Sequence, residues 1–160
     1  MKRYLPLLLI FFGHCALAQL KADLVIVEKS KSKLYLEHAG KVIKSYHIAL
    51  GRQPKGHKRQ EGDGRTPEGR YVLDAKKADS AFYKAIHISY PNALDLSSAL
   101  ERGVRPGGAI MIHGQKNGFG KLARVTQRSN WTNGCIAVTD QEMDEIWAAV
   151  DSGTPIEIRP

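Results

Sequence analysis

Cysteine is nearly missing from this chain of 160 residues, which has only Cys15 and Cys135. Cys15 falls in a stretch that reads as a removable leader, so Cys135 would be left without an internal disulfide partner. HExxH patterns and close His or Cys pairs at zinc-ligand spacing are also absent, and no metal site or other cofactor is expected. Acidic residues are short: sixteen Asp and Glu stand against twenty-four Lys and Arg, for a formal charge of +8. That balance suits an anionic polymer such as cell wall, lipid headgroups or nucleic acid. No RNP-like or helix-turn-helix pattern appears, and an exported chain does not meet nucleic acid, so nucleic acid is not an expected partner. Internal repeats, low-complexity tracts and interdomain linkers are lacking as well. The longest apolar run, residues 4–12, falls short of the ~20 residues a transmembrane helix needs.

What is present begins with that run. Lys2 and Arg3 precede it, and Ala16-Leu17-Ala18 follows as a small-x-small cleavage pattern. Residues 1–18 are therefore expected to be a signal peptide, and the protein to act in the periplasm or cell envelope. His14 stands before Cys15, where a lipoprotein signal carries a small residue. Losing Lys2 and Arg3 takes the charge from +8 to +6. Residues 19–160 are enough for one domain with a real core, and no transmembrane segment is expected in the mature chain.

Within that domain, short β-type runs at 24–29, 33–38 and 42–50 are separated by SKS and by the turn Ala39-Gly40-Lys41. Tyr46, Ile48 and Leu50 alternate with Ser45, His47 and Ala49, the period of a strand in a meander. A long glycine- and charge-rich loop follows at 51–69, and such loops are often functional. Further strands are expected at 70–74, 84–90, 109–113, 135–138 and 155–159. Thr139-Asp-Gln-Glu142 fits a capping box, with Met143, Ile146, Trp147 and Val150 on one helical face. A weaker helix is expected at 93–102. The pattern predicts a mainly β domain, an antiparallel sandwich or partly closed barrel with one or two helices.

Cys135 is the residue with chemical potential. A nucleophilic thiol needs a base, donors for an oxyanion and access for substrate. Gly134 before it lets the backbone approach a ligand closely. His113, ending the apolar run Ile110-Met-Ile and followed by Gly114, is the candidate base. A histidine beside a thiol lowers the thiol pKa. His38, His47, His57 and His87 lie within strands or in the basic loop, where a structural role fits better. A small buried thiol of no chemical role is the plain alternative for Cys135.

These residues resemble a known family. TNGCIAV, residues 132–138, is similar to the [S/T]-x-G-C-[I/V] signature of the L,D-transpeptidase (YkuD-type) catalytic domain, and Ile112-His113-Gly114 matches its upstream histidine motif. Gly62-Asp-Gly-Arg-Thr-Pro-Glu-Gly69, Ala49-Leu50-Gly51 and Ser89-Tyr-Pro-Asn92 match further landmarks in order. The chain departs at Asn133, where members often carry His or Lys, and at Ala137, where they often carry Arg or Asn. Residues 115–132 make an enlarged loop.

The resemblance implies an acyltransferase acting on peptidoglycan stem peptides. Cys135 would attack the carbonyl at the L-centre of the third stem residue and release D-Ala. His113 would be the base, oriented by the Gly114 carbonyl, and the backbone of Asn133, Gly134 and Cys135 would form the oxyanion hole. Tyr90, Arg128, Trp131 and Thr132 are the expected substrate contacts. Diaminopimelate, a lipoprotein lysine or water would resolve the thioester, and carbapenems would acylate the thiol. A thiol hydrolase trimming the same wall peptides and a non-catalytic wall-binding module are the alternatives.

Overall fold

The computed structural model describes residues 20–160. The expected signal peptide and Cys15 lie outside the described residues.

Eight strands form one sheet. They are β1 (Leu24–Glu28), β2 (Lys33–His38), β3 (Lys41–His47), β4 (Gly69–Ser80), β5 (Tyr83–Ile88), β6 (Met111–His113), β7 (Ile136–Ala137) and β8 (Thr154–Arg159). Their order across the sheet is β3-β2-β1-β8-β4-β5-β6-β7. The expected meander is β1 to β3. The sheet is mixed rather than wholly antiparallel, because β1–β8 and β6–β7 run parallel. Hydrophobic alternation specifies which face a residue takes but not the direction of its neighbour, so sequence left this open.

Of the two expected forms, the molecule takes the partly closed barrel. After β3 the chain runs on to the opposite edge of the sheet. There Ala49 and Ala137 exchange backbone hydrogen bonds of 2.9 and 2.8 Å. Gly51 bridges Thr132 beyond them. The two edges meet through these residues, and the sheet curls into a half-barrel. Leu34, Leu36, Leu73, Ile86, Ile112, Ile136 and Ile156 fill its interior.

Three helices flank it: α1 (Ala93–Glu101), α2 (Ala123–Thr126) and α3 (Asp140–Ala149). Asn92 caps α1 through its side chain, which accepts from the Leu94 and Asp95 N–H groups. The Thr139–Glu142 capping box opens α3 as the sequence predicts. Met143 and Ile146 then enter the core beside Val150, which follows the helix. Trp147 is only partly buried, with the Lys76 ammonium 4.5 Å from its ring centre. α2 lies inside the enlarged 115–132 loop. It was not expected, since four residues are too few to display a helical period. Among the described residues, no helix is long and apolar enough to cross a membrane.

Candidate active site

Strand register brings the candidate residues together. Ile112 lies beside Ile136 and His113 beside Ala137 in the parallel β6–β7 pair. Side chains alternate along a strand, so Met111 and His113 share a face with Cys135 and Ala137. Ile112 and Ile136 turn to the core on the other face. Met111, His113 and Cys135 all border one cavity of about 490 Å³.

His113 is buried, and its Nδ1 lies 2.7 Å from the Gly114 carbonyl oxygen. A carbonyl can only accept, so Nδ1 carries the proton and Nε2 is left with a free lone pair. The ring packs against two aromatics that also meet each other. Phe82 lies 4.7 Å away between ring centres, and Trp131 lies 5.7 Å away, edge-on. Phe82 and Trp131 stack on each other at 6.0 Å. Burial pushes the imidazole pKa down, with the Gly114 carbonyl bond opposing it. The ring is therefore neutral near pH 7.

Burial pushes the Cys135 thiol up, against a Met111 backbone hydrogen bond and the Lys58 charge. The thiol is protonated at rest, and Sγ lies 3.6 Å from the Ala109 carbonyl oxygen. No hydrogen bond joins Sγ to the His113 ring in this structure. For His113 to take its proton, the Sγ–H would have to leave Ala109 and turn to Nε2. Contacts of this kind often tighten only when substrate arrives.

The turn before the thiol is tightly built. The Thr132 hydroxyl donates to the Cys135 carbonyl at 2.7 Å and accepts from the Gly134 N–H at 3.1 Å. Gly134 has φ +127°, and a Cβ there would sit 2.6 Å from the Arg65 carbonyl oxygen. The 51–69 loop thus packs directly on this turn. The Arg52 N–H donates to the Thr132 carbonyl at 3.1 Å, and the Thr132 N–H to the Leu50 carbonyl at 3.2 Å.

The expected site residues are not all placed alike. Of the three oxyanion donors, the Gly134 N–H is already taken by Thr132. The Asn133 and Cys135 N–H groups have no acceptor among the described residues. Trp131 and Thr132 border the cavity, whereas Tyr90 and Arg128 do not. Tyr90 is buried, its hydroxyl bonded to the Pro106 carbonyl at 3.1 Å. Arg128 stands exposed just after α2 and does not border the cavity. Sequence reasoning missed Phe82. It sits in the Ser80–Tyr83 hairpin, and an aromatic at the tip of a polar hairpin is the signal that marks it. Among the described residues no group of His, Cys, Asp and Glu could hold a metal ion.

Comparison with known proteins follows the same lines. The family model of the L,D-transpeptidase catalytic domain, YkuD, matches residues 22–158. YafK of Escherichia coli K12, itself assigned as an L,D-transpeptidase only provisionally, is 34% identical over 111 residues. That match covers 68% of this chain and 37% of YafK. The helical cell shape determining protein Pgp2 from Campylobacter jejuni superposes with TM-score 0.64 at 26% identity, over 84% of this chain and 46% of Pgp2. The L,D-transpeptidase LdtMt1, in complex with imipenem, shares the fold with TM-score 0.54 at 16% identity, over 84% of this chain and 57% of its own. The chain thus spans less than half the length of YafK and Pgp2. With the family model matched from the first strand to the last, the chain belongs to the YkuD family of L,D-transpeptidase catalytic domains.

Proposed function

We propose that this protein is a thiol acyltransferase acting on peptidoglycan stem peptides, with Cys135 as nucleophile and His113 as base. The observation that carries the reading is a thiol and a tautomer-fixed imidazole opening on one cavity, in a chain of this family. Cys135 Sγ attacks the carbonyl carbon at the L-centre of the third stem residue, and its proton passes to His113 Nε2. The oxyanion lies against the free N–H groups of Asn133 and Cys135. Removing one such donor typically costs about 3 kcal/mol of transition-state stabilisation. Collapse of the tetrahedral intermediate breaks the bond to D-Ala, whose nitrogen takes the proton from Nε2 and leaves a thioester. An incoming amine, from diaminopimelate or a lipoprotein lysine, gives up a proton to Nε2 and restores the thiol. Water in place of the amine makes the same site a hydrolase.

Read as a leader, residues 1–18 would direct this chemistry to the periplasm or cell envelope, where stem peptides are found, with 19–160 as the working domain. A carbapenem would be opened by the same attack, and the imipenem complex of LdtMt1 makes imipenem the natural probe.

The test is mass spectrometry of the protein incubated with a disaccharide-tetrapeptide, wild type beside Cys135→Ala. A Cys-dependent dimer with loss of D-Ala supports transpeptidation. A Cys-dependent tripeptide without dimer assigns hydrolysis instead. No change in either sample, together with no imipenem adduct on Cys135, overturns the reading.

A further inference from the structure

The cavity over Cys135 has an apolar floor and a rim of one sign. Phe82, Met111 and Trp131, all partly buried, make the floor, with the exposed Ala109 beside them. Arg52, Lys77 and Lys116 border it, and no Asp or Glu does. The three cations come from separate parts of the fold. Arg52 follows Gly51, and its own N–H ties it to Thr132 in the turn before the thiol. Lys77 lies on β4, in register with Ala85 of β5. Lys116 lies three residues past His113, and its N-terminal neighbour Gln115 is fixed by a 2.7 Å bond from its N–H to Asp140.

Several other cations of this molecule are neutralised, while others, such as Lys33, Lys41 and Arg128, stand unpaired among the described residues but away from the cavity. Lys29 meets Glu68 at 2.8 Å, Lys58 meets Asp63 at 2.9 Å, and Lys44 meets Glu145 at 2.8 Å. Arg52, Lys77 and Lys116 enter no ion pair among the described residues. Asp79, two residues beyond Lys77, does not border the cavity either, since the β4–β5 register shifts between Lys77 and Ser80. Three exposed cations elsewhere would be a solvated surface. Around a concave apolar floor they raise the local concentration of anions, because the low-dielectric walls focus their field. The strand after the thiol adds no charge of its own, as Ile136 and Ala137 are fully buried.

We propose that Arg52, Lys77 and Lys116 form a carboxylate-reading rim, which makes the preferred acyl donor a peptide carrying at least two free carboxylates around the reacting carbonyl. The proposal rests on the reading of Cys135 as the nucleophile. A diaminopimelate-D-Ala end has this chemistry, with one carboxylate on the departing D-Ala and another on the diaminopimelate side chain. Their separation lets different cations hold them while the apolar floor takes the carbon chain between. Amidation of the side-chain carboxylate removes one of the two charges, so the rim discriminates against amidated donors.

The test separates the rim from the proposed reaction by using two alkylating probes of nearly equal size. Iodoacetate is an anion and iodoacetamide is neutral, and both alkylate Cys135. Rate constants are measured for wild type, Arg52→Gln, Lys77→Gln, Lys116→Gln and the triple variant, with N-acetylcysteine as reference. The iodoacetate-to-iodoacetamide ratio, relative to the reference, is expected to be raised in wild type and to fall at least about threefold in the triple variant at low ionic strength. Added salt should produce the same fall in wild type. An unchanged iodoacetamide rate shows that the thiol and fold are intact, and a thermal melt checks the fold independently.

With peptides, KM for the free tetrapeptide should rise in each variant with kcat largely kept, and KM for the amidated peptide should move little. A ratio and a KM that ignore all three substitutions overturn the rim while leaving the reaction standing. A ratio that falls in a protein that processes no peptide supports an anion-reading rim and removes the acyl-transfer reading.

Discussion

Burial acts on the two candidate catalytic residues in opposite directions. It lowers the His113 pKa and raises that of Cys135, so both hold a neutral pair at pH 7 rather than a preformed thiolate and imidazolium. In the proposed reaction neutral imidazole is then the working base, and it persists to pH values below the ordinary 6.5 of histidine. The acidic limb of kcat/KM is expected to fall below that value. Iodoacetamide alkylation of the free enzyme should rise with pH through a midpoint above that of an ordinary thiol. A reactivity plateau already reached at pH 6 would mean a standing ion pair and defeat this account. The same shift enters stability. Between the folded and unfolded His113 pKa values the unfolded chain binds more protons, so stability drops as pH falls from about 6.5 toward the folded value. His113→Asn should remove that part of the slope in a series of thermal melts.

Gly134 is the second residue-scale case. Its φ of +127° and the Arg65 carbonyl beside it exclude any side chain. Gly134→Ala should cost about 1–3 kcal/mol by melting and lower turnover more than tenfold, because the strain falls on the turn that aims Cys135. Full turnover with an unchanged melt would show that the turn is not held as described. At this scale the sequence was legible where a local pattern spoke: Gly-Cys before a strand, and His-Gly after one. It was silent about Phe82, Arg52, Lys77 and Lys116, which reach the cavity from other elements, and proximity across elements leaves no trace in local spacing. Tyr90 and Arg128 read as site residues from their place near motifs, yet one is tied to Pro106 and the other faces solvent.

Two elements shape the cavity, and each departs from what periodicity can report. β4 runs to Ser80, six residues beyond the expected end at Asp74, because Lys76-Lys77-Ala78-Asp79 has no apolar alternation to mark it as strand. Its pairing with β5 carries Phe82 over His113. The 51–69 loop is ordered by a carboxylate at its centre. Asp63 accepts from the Arg59, Gln60 and Arg65 N–H groups and from Lys58. Burial opposes its ionisation, but these bonds outweigh it and bring the pKa from 3.8 to about 2. That stability is present above the unfolded value and is lost as pH falls from about 4 to about 2. Asp63→Asn keeps the shape and removes the charge. Its expected effect is faster proteolysis within residues 52–65 and a several-fold loss of turnover, since Arg65 no longer braces Gly134. A variant with wild-type proteolysis and turnover would show that the loop is held by other contacts, such as the Lys29 bonds to the Gly56 and Thr66 carbonyls.

Over the whole molecule, the site depends on a strand far from it in the chain. β8 lies mid-sheet, parallel to β1 from Val25–Ile156 to Glu28–Arg159 and antiparallel to β4 from Gly69–Ile158 to Leu73–Thr154. Without it the sheet separates into β3-β2-β1 on one side and β4-β5-β6-β7 on the other. The Ala49–Ala137 closure then joins two halves with no shared centre, and the turn at 130–135 loses the Leu50 and Arg52 bonds that hold it. Ile156 and Ile158 are both buried in the core, and losing a buried isoleucine costs about 2–5 kcal/mol. Two such losses plus both ladders match the 5–15 kcal/mol that typically stabilises a domain. A chain ending at Ser152 is therefore expected to lose its cooperative melt and the slow hydrogen exchange of Val25 to Val27. Ile158→Ala in the full chain should lower the melting temperature while keeping both. A cooperative melt in the shortened chain would mean that the two half-sheets stand independently, and that closure through Ala49 and Ala137, rather than β8, holds the site together.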